Sequence, residues 1–525
     1  MARTFNTTGP CDPRFHYMVP PEQRLPEART LVEQMGYFVV HAPRQTGKTT
    51  ILRTLARALT AEGRFAALHF SCEAAKAADE DFGTAENILL SEMGVCADGE
   101  LPEALRPPPR EAADPGARLR AFLIRWAEAC PRPLVLVFDE IDALRGATLL
   151  SVLGQLRSGF DSRPDRFPWS VILCGLRDVR DYKLAARGAE PRLGSSSPFN
   201  IKIKSLRVGD FDDREVRALL GQHTAETGQV VTDDAIDQMV ALTAGQPWLV
   251  NALAREIIDP MGVAPPEPIT VEHVDAAKER LILARQTHLD SLAARLVEPR
   301  VRRVIEPMLA GVLPDADPYD DDFQYVADLG LVARDLPLRV ANPIYREVIV
   351  RVLASSAERA VLVEPRAFVC PDGRLDIEGL LQAFVAFWVE HGEVLTQRQT
   401  YHEVAPQLVL MAFLQRLVNG GGQVDREFGV GRGRIDLLIR WPYVSPDGTR
   451  VWQRTAFELK VRAGSAPDPL AKGLAQLDAY LDRLGLDTGI LVLFDRRPDA
   501  PPIATRTRLE EATSPTGRPI TVLRG

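Results

Sequence analysis

The sequence lacks the features that would place it in a membrane, secreted or zinc-binding class. No apolar run approaches the length of about 18 to 20 residues that spans a bilayer, and the first residues, MARTFNTTGPCDPRF, carry no apolar signal segment. The six cysteines are scattered singly, with no CxxC pair and no neighbouring histidine cluster, which argues against a disulfide framework and a zinc site. We therefore expect a cytoplasmic protein with no membrane partner.

Lysine is also scarce, because only eight of the 63 basic residues are Lys. Two of these, Lys48 and Lys460, lie in the motifs described below, and a compact ammonium group suits phosphate chemistry. The net charge of -8 does not indicate nucleic-acid binding. Residues 375–525 nevertheless balance 18 basic against 18 acidic side chains, so a local basic groove is compatible with the composition.

A chain of 525 residues is too long for one hydrophobic core, so several domains are expected. In the first part, four apolar strands in YFVVHAPRQTGK, FAALHF, PLVLVFDEID and SVILCG alternate with amphipathic helices, which predicts an α/β fold with a parallel sheet. The second part is purely helical, and the third has the order helix, helix, hairpin, helix. The last part combines helices with strands at 423–430, 434–440 and 452–460, a helix at 470–484 and the strand GILVLFD. The predicted boundaries are 1–210, 211–290, 291–358, a linker at 359–375, and 376–525.

The stretch APRQTGKTT follows an apolar strand and opens a helix, as a phosphate-binding P-loop does. Backbone N–H groups at a helix N-terminus cradle phosphate, Lys48 would reach the terminal phosphates, and the Thr49 hydroxyl would bind Mg²⁺. The first position of the GxxxxGK[ST] pattern is alanine rather than glycine. The predicted nucleotide-binding residues of this loop are Ala42, Pro43, Arg44, Gln45, Thr46, Gly47, Lys48, Thr49 and Thr50.

A second acidic motif, LVLVFDEID, ends an apolar strand with Asp139 and Glu140. Asp139 is placed to hold Mg²⁺ and Glu140 to polarise an attacking water. The alternative interpretation is a chance helix start and a solvated strand end. Each motif follows or ends a predicted strand, and the P-loop precedes the acidic motif. This arrangement favours ATP and Mg²⁺ as cofactors.

Residues 15 to about 355 resemble the bacterial and archaeal ATPases of the AAA+/STAND type. The resemblance implies a P-loop core, a helical lid and a winged helix, and a homo-oligomer formed through the ATPase domain. TAGQPWLVNALA resembles the GxP motif of the lid, which implies that Pro247 approaches the adenine. Arg177 or Arg192 could serve as a sensor or an arginine finger, although neither has a diagnostic spacing.

The segment YVADLGLVARDLPLRVANPIYREVI resembles the winged helix that follows such a lid. A winged helix can contact DNA through a recognition helix. The helix predicted around DPYDDDFQYVADLG is acidic, however, and repulsion from phosphate favours a packing or regulatory module. Both interpretations stay open on the sequence.

Three charged residues interrupt apolar strands near the C-terminus. Asp436 lies in RIDLLI, and Glu458 and Lys460 in AFELK leave the same face of a strand because they are two residues apart. Asp436 and Glu458 could hold Mg²⁺, with Mn²⁺ as an alternative, and Lys460 could orient a water or offset developing charge. A salt-bridged strand pair is the alternative interpretation.

This arrangement resembles the PD-(D/E)XK nuclease superfamily, which implies a C-terminal domain with the α/β restriction-endonuclease-like fold. QLDAY resembles the QxxxY element of its RecB-like branch, with Gln476 and Tyr480 on one helix face. Glu403 occupies the place of the acidic residue on the first helix. The chain departs from the pattern before Asp436, where no proline stands.

The sequence therefore suggests an ATP-binding and ATP-hydrolysing protein that controls a Mg²⁺-dependent nuclease, with nucleic acid, chiefly DNA, as the substrate. The resemblance implies a role in defence or in mobile elements. One alternative is a nucleotide-dependent signalling switch whose C-terminal domain binds without cutting. Another is a DNA-binding regulator that uses the winged helix.

Overall fold

The protein is described here by a computed structural model. The structure describes residues 3–177, 201–284, 287–309, 320–335, 338–358, 368–397, 423–430, 433–446, 448–462, 467–497 and 499–525, together with residue 464 and isolated positions between 406 and 414. The chain divides into two compact units. The first comprises Met1–His288 with Gln324–Arg334 and Ala341–Ile344, and the second comprises Leu289–Phe323, Asp335–Val340 and Tyr345–Gly525.

The first unit contains a parallel sheet of five strands in the order β2-β3-β4-β1-β5. The strands are β1 (Tyr37–His41), β2 (Ala66–Ser71), β3 (Leu134–Asp139), β4 (Ser170–Gly175) and β5 (Lys204–Arg207). β3 and β4 are buried along their whole length, as expected for a sheet covered on both faces. The first four strands were predicted from their apolar runs and are confirmed, whereas β5 was not predicted.

Helices cover both faces of this sheet, because two apolar clusters lie on its opposite sides. They are α1 (Pro21–Arg24), α2 (Pro26–Glu33), α3 (Lys48–Ala61), α4 (Phe82–Glu100), α5 (Arg118–Ala129) and α6 (Gly146–Gly159). The carboxyl ends of β1 and β3 carry the P-loop and Asp139, so the topology brings the two predicted motifs to one edge of the sheet.

The segment after β5 is helical, as its sequence predicts, with α7 (Asp213–Thr227), α8 (Asp233–Thr243), α9 (Pro247–Ile258) and α10 (Val271–Leu283). α7 begins with a capping box, in which Asp212 accepts a hydrogen bond from the Glu215 backbone N–H. Pro247 stands at the first position of α9, where its missing N–H costs nothing.

The helices α11 (Thr287–Arg295), α12 (Pro299–Leu309), α13 (Asp321–Asp328) and α14 (Pro343–Glu358) follow. Parts of the predicted winged helix, residues 310–319 and 336–337, lie outside the described residues. The winged-helix interpretation and the five predicted boundaries therefore stay predictions.

The second unit contains a mixed sheet of six strands in the order β10-β11-β9-β8-β7-β6. The strands are β6 (Gln423–Val430), β7 (Gly433–Val444), β8 (Arg450–Arg462), β9 (Gly489–Asp495), β10 (Arg508–Thr513) and β11 (Pro519–Arg524). The helices are α15 (Ile377–Gln397), α16 (Leu470–Leu484) and α17 (Ile503–Arg506). β6 to β9 and α16 were predicted and are confirmed, whereas β10 and β11 were not predicted.

The two faces of this mixed sheet have separate cores. Leu437, Phe457 and Val492 pack with α15 on one face, and Leu438, Ala456 and Leu491 pack with Leu477 and Leu481 of α16 on the other. Among the described residues, no helix has the length and apolar content needed to cross a bilayer.

Candidate nucleotide and metal sites

The P-loop lies between β1 and α3 and has the backbone of an anion-binding loop. Gln45 and Gly47 have φ values of 59° and 88°, and left-handed residues between right-handed ones turn successive N–H groups toward one point. Ala42 is buried and is not among the residues with positive φ. Alanine is therefore tolerated at this position, because the backbone conformation does not require a glycine.

Lys48 begins α3 and points back over the loop, since its Nζ donates to the carbonyl oxygens of Ala42 and Pro43 at 2.7 Å each. Burial lowers the pKa of this ammonium group. Phosphate oxygens would offer Lys48 stronger, charge-assisted partners than these two carbonyls. The loop thus has the features needed to bind a terminal phosphate.

Thr49 and Asp139 lie together, with the Thr49 hydroxyl donating to Asp139 Oδ2 at 2.7 Å. Asp139 also contacts His69 Nε2 at 2.9 Å and accepts from the Glu140 N–H at 2.9 Å. Burial alone would raise the pKa of Asp139, but the hydrogen bonds from His69 and Thr49 outweigh it and lower the pKa to about 2. The carboxylate is therefore ionised at any ordinary pH, as a magnesium ligand must be.

Glu140 adopts a left-handed conformation with φ 55° and ψ 42°, which is uncommon for a residue with a side chain. Its carboxylate accepts from the Ser71 hydroxyl at 2.8 Å, and burial raises its pKa. The carboxylate lies at a strand end beside Asp139, and its role of polarising water stays a prediction. No described contact joins Glu140 to the P-loop.

Pro247 lines a cleft together with Gln45, Thr46, Gly47 and Thr50. The side chain of Gln246 caps α9 and also donates to the Gln45 carbonyl at 3.4 Å. Pro247 thus lines the same cleft as the phosphate loop, and its approach to the adenine stays a prediction. Thr50 takes another role, since its hydroxyl accepts from the Cys11 N–H at 3.0 Å.

Of the two arginines considered as sensors, Arg177 follows β4 and is buried, and its Nε donates to Asp328 Oδ2 at 3.0 Å. Asp328 also pairs with Arg334. Arg177 is therefore tied to a carboxylate of the protein rather than presented at the surface. Arg192 lies outside the described residues.

Asp436, Glu458 and Lys460 come together on the second sheet. The antiparallel β7–β8 register pairs Leu437 with Phe457. The next residues along the two strands, Asp436 and Glu458, therefore lie side by side. Lys460 Nζ lies 2.5 Å from Glu458 Oε1, and Asp436 Oδ2 accepts from the Leu459 N–H at 2.7 Å. All three side chains share the sheet face of Leu438 and Ala456, which is the face that α16 covers.

Glu458 is 2% exposed, and its Oε2 has no hydrogen-bond partner. Burial and the neighbouring Asp436 raise the pKa of Glu458 to about 7 against the opposing effect of Lys460. An unsatisfied buried carboxylate oxygen costs free energy that a cation would recover. The donor set also fits magnesium, which is bound through one or two carboxylates and keeps several waters.

The helix α16 supplies the remaining predicted residues. Gln476 has a buried Oε1 without a hydrogen-bond partner, and Tyr480 packs against the apolar cluster beneath the helix. A Cβ on Gly473 would lie 2.6 Å from Leu491 Cδ1, and Leu491 is the register partner of Glu458. The helix therefore approaches the sheet closely beside Glu458.

Glu403, the third predicted carboxylate, lies outside the described residues. Within the residues that are described, no group of three or more His, Cys, Asp or Glu side chains is arranged to hold a metal. The described site therefore offers two carboxylates and one ammonium group.

Several residues of the nucleotide site were not predicted. His69 holds Asp139, and an N-terminal segment that includes Tyr17 and Met18 lines the cleft. Asn251 also lines it. Its position four residues after Pro247 on one helix was the available signal, since such residues share a face.

Three solved structures align with about two thirds of this chain. A Walker-type ATPase of Pyrococcus abyssi is 15% identical, with 66% of this chain and 99% of that chain covered and a TM-score of 0.47. The ORC2 protein of Aeropyrum pernix, solved in ADPNP and ADP complexes, is 14% identical, with 65% and 96% covered and a TM-score of 0.40. The RuvB Holliday junction branch migration motor of Thermotoga maritima is 15% identical, with 62% and 93% covered and a TM-score of 0.34.

The chain matches no curated protein in sequence. Residues 27–164 match the family model of the AAA ATPase domain. This stretch contains β1, the P-loop, β3 and Asp139, which are the parts that form the nucleotide site described above. Residues 27–164 are therefore an ATPase domain of the AAA type.

Proposed function

We propose that this AAA-type ATPase controls a divalent-metal-dependent nuclease formed by residues 376–525. The observation that carries the nuclease proposal is the buried carboxylate of Glu458, which has one unsatisfied oxygen and lies beside Asp436. A protein gains nothing in stability from a buried carboxylate that has one unsatisfied oxygen and a second carboxylate beside it. Their retention is explained if they bind a cation.

In this proposal Asp436 and Glu458 hold Mg²⁺ or Mn²⁺. The ion would supply positive charge to a scissile phosphate and would lower the pKa of a bound water. Lys460 would donate to the carboxylate in the resting site and to a phosphate oxygen when substrate is present, since Nζ has three N–H donors. Gln476 would use its free amide oxygen to orient a water or a substrate group.

The nucleotide site would act as the control element. Lys48 and the loop N–H groups would bind the phosphates, Thr49 and Asp139 would hold Mg²⁺, and Glu140 would polarise the attacking water. Binding or hydrolysis would then change the activity of the C-terminal domain.

The test is cleavage of single- and double-stranded DNA and RNA by the purified full-length protein with Mg²⁺ or Mn²⁺, with and without ATP. We expect metal-dependent cleavage that is lost in Glu458→Ala and in Lys460→Ala. Lys472→Ala is the matched control, because Lys472 is exposed on α16 of the same unit. Equal cleavage by the Lys460→Ala and Lys472→Ala proteins would refute the assignment.

The role of the ATPase is tested by Lys48→Ala in the same assay. Under the proposal this change alters cleavage in the presence of ATP and leaves metal binding intact. Cleavage that is identical with and without ATP in both proteins would refute control by the nucleotide.

The contact between Lys460 and Glu458 favours a second function. In this alternative the protein is a nucleotide-dependent switch whose C-terminal domain binds nucleic acid or protein without cutting. The 2.5 Å pairing of Lys460 with Glu458 partly neutralises the carboxylate without a metal. Metal affinity separates the two functions: Glu458→Ala should abolish Mn²⁺ binding by a nuclease and should leave a binding module unaffected.

A further inference from the structure

The cleft beside the P-loop has the walls of a base-binding site. Apolar side chains from three parts of the first unit line it, namely Met18 and Val19, Phe211, and Pro247 with Trp248. The Trp248 indole donates to the Thr7 carbonyl at 2.9 Å, which ties the N-terminal segment to α9 across the cleft. Apolar walls of this kind accept a flat aromatic ring and leave its recognition to a few polar groups.

One polar group in this cleft is incompletely bonded. Asn251 lines the cleft and is 8% exposed, and its Oδ1 is buried without a hydrogen-bond partner. Its Nδ2 donates to the Pro247 carbonyl at 2.8 Å. Since a carbonyl can only accept, this contact assigns the nitrogen of the amide and leaves the oxygen as the free acceptor.

We infer that Asn251 Oδ1 is the acceptor that recognises the 6-amino group of adenine, and so selects ATP over other nucleoside triphosphates. The arrangement leaves a buried acceptor in need of a donor on a residue that lines the cleft next to the P-loop, and adenine carries an N–H donor at the 6-position of its ring. Guanine carries a carbonyl oxygen at the same position, which would face the amide oxygen with no hydrogen between them. The inference concerns the ATPase domain and does not depend on the nuclease proposal.

Three neighbouring features support this assignment. The backbone bond to Pro247 holds the amide in place, so little rotamer entropy is lost on binding. Pro247 and Trp248 stand on the same helix and form an apolar wall of the same cleft. Gln45, Thr46 and Gly47 of the phosphate loop also line the cleft, so a base near Asn251 would belong to a nucleotide whose phosphates reach the loop.

The experiment measures equilibrium binding of two nucleotides to the full-length protein with Mg²⁺. The nucleotides are ATP and purine riboside triphosphate, which lacks only the 6-amino group. A single hydrogen bond to a buried acceptor is worth about tenfold in affinity, or about 1.4 kcal/mol. We expect wild-type protein to bind ATP about tenfold more tightly than the analogue, and to bind GTP more weakly than ATP.

The Asn251→Leu protein keeps the volume of the side chain and removes the acceptor. We expect it to bind the two nucleotides with nearly equal affinity. Gln238→Leu is the matched control, because Gln238 lies on α8 outside the cleft and donates to Asp275 at 2.7 Å; this protein should keep the tenfold preference. Circular dichroism and thermal unfolding check that each variant is folded.

An unchanged preference for ATP in Asn251→Leu would overturn the inference. If that variant does not fold, the wild-type measurement decides alone. Equal binding of ATP and purine riboside triphosphate, or tighter binding of GTP, would also overturn it.

Discussion

Replacement of Glu458 by glutamine gives the sharpest test of the metal site, because it should stabilise the metal-free protein while removing its response to metal. The rise in the pKa of Glu458 from 4.5 to about 7 corresponds to roughly 3 kcal/mol at about 1.36 kcal/mol per pKa unit. This is the cost of keeping the carboxylate ionised in the folded state at high pH. Glutamine removes that cost but replaces the anionic partner of Lys460 by a neutral amide oxygen, so we expect a net gain of about 1 to 2 kcal/mol.

The pH dependence has a defined sign. A raised pKa means that the folded state prefers the protonated carboxyl, so the stability contributed by Glu458 is fully present below about pH 4.5 and is lost as the pH rises through about 7. The advantage of Glu458→Gln over wild type should therefore be small at pH 5 and largest at pH 8. Chemical unfolding in EDTA at both pH values measures it.

Bound metal should make wild type more stable than Glu458→Gln. Saturation of wild type with Mn²⁺ at about 100 times the dissociation constant should add about 2.7 kcal/mol, or roughly 5 to 10 °C in Tm for a unit of this size. Glu458→Gln should show no such rise. The control is Glu511→Gln, an exposed carboxylate on β10 of the same sheet, which should behave as wild type.

Two results would refute this reasoning. One is a Glu458→Gln protein that is less stable than wild type at pH 8 in EDTA, since the ion pair with Lys460 would then outweigh the cost of burial. The other is an equal Mn²⁺ response in both proteins, which would place the ion elsewhere.

Lys48→Ala should reduce ATP hydrolysis by about 100-fold or more, measured as phosphate release, because the loop loses its charged phosphate ligand. Gly473→Ala should destabilise the second unit by about 1 to 3 kcal/mol in urea unfolding, since the new Cβ would lie 2.6 Å from Leu491 Cδ1; Gly94→Ala, with no atom within 4 Å of its Cβ, should not. Burial lowers the pKa of His288 to about 4 from an ordinary value of 6.5, so stability should fall by up to roughly 3 kcal/mol as the pH drops from 6.5 to 4. His288→Gln should lose that dependence in the same measurement.

The secondary structure was predictable where one apolar pattern dominates. α16 spans Leu470–Leu484, the range that its leucine spacing predicts, and β1 to β4 follow continuous apolar runs. Local pattern and tertiary burial agree in these elements, so the sequence alone suffices.

The strands that were missed lack such a pattern. β5 buries only Leu206 and pairs along one side with β1, and β10 has no fully buried residue and lies at the edge of its sheet. Both form because a neighbouring strand offers unpaired backbone groups, and that condition depends on tertiary structure.

The candidate sites also contain features that the sequence predicts and features that it does not. The spacing in APRQTGKTT and the strand context of Asp139 predict the nucleotide site, because those groups are close in the chain or lie at the carboxyl ends of strands in one parallel sheet. The bond from His69 to Asp139 and the free oxygen of Asn251 depend on contacts between distant segments or on atomic detail. No sequence pattern reports such contacts.

The two carboxylate sites differ in how readily they accept a cation. His69 and Thr49 keep Asp139 ionised, with a pKa of about 2, so protons do not compete with Mg²⁺ there at neutral pH. Glu458 has a pKa of about 7, so a proton and a metal ion compete for it under the same conditions. At pH 7 this competition would weaken metal binding at Glu458 by about twofold, because about half of its carboxyl groups would carry a proton.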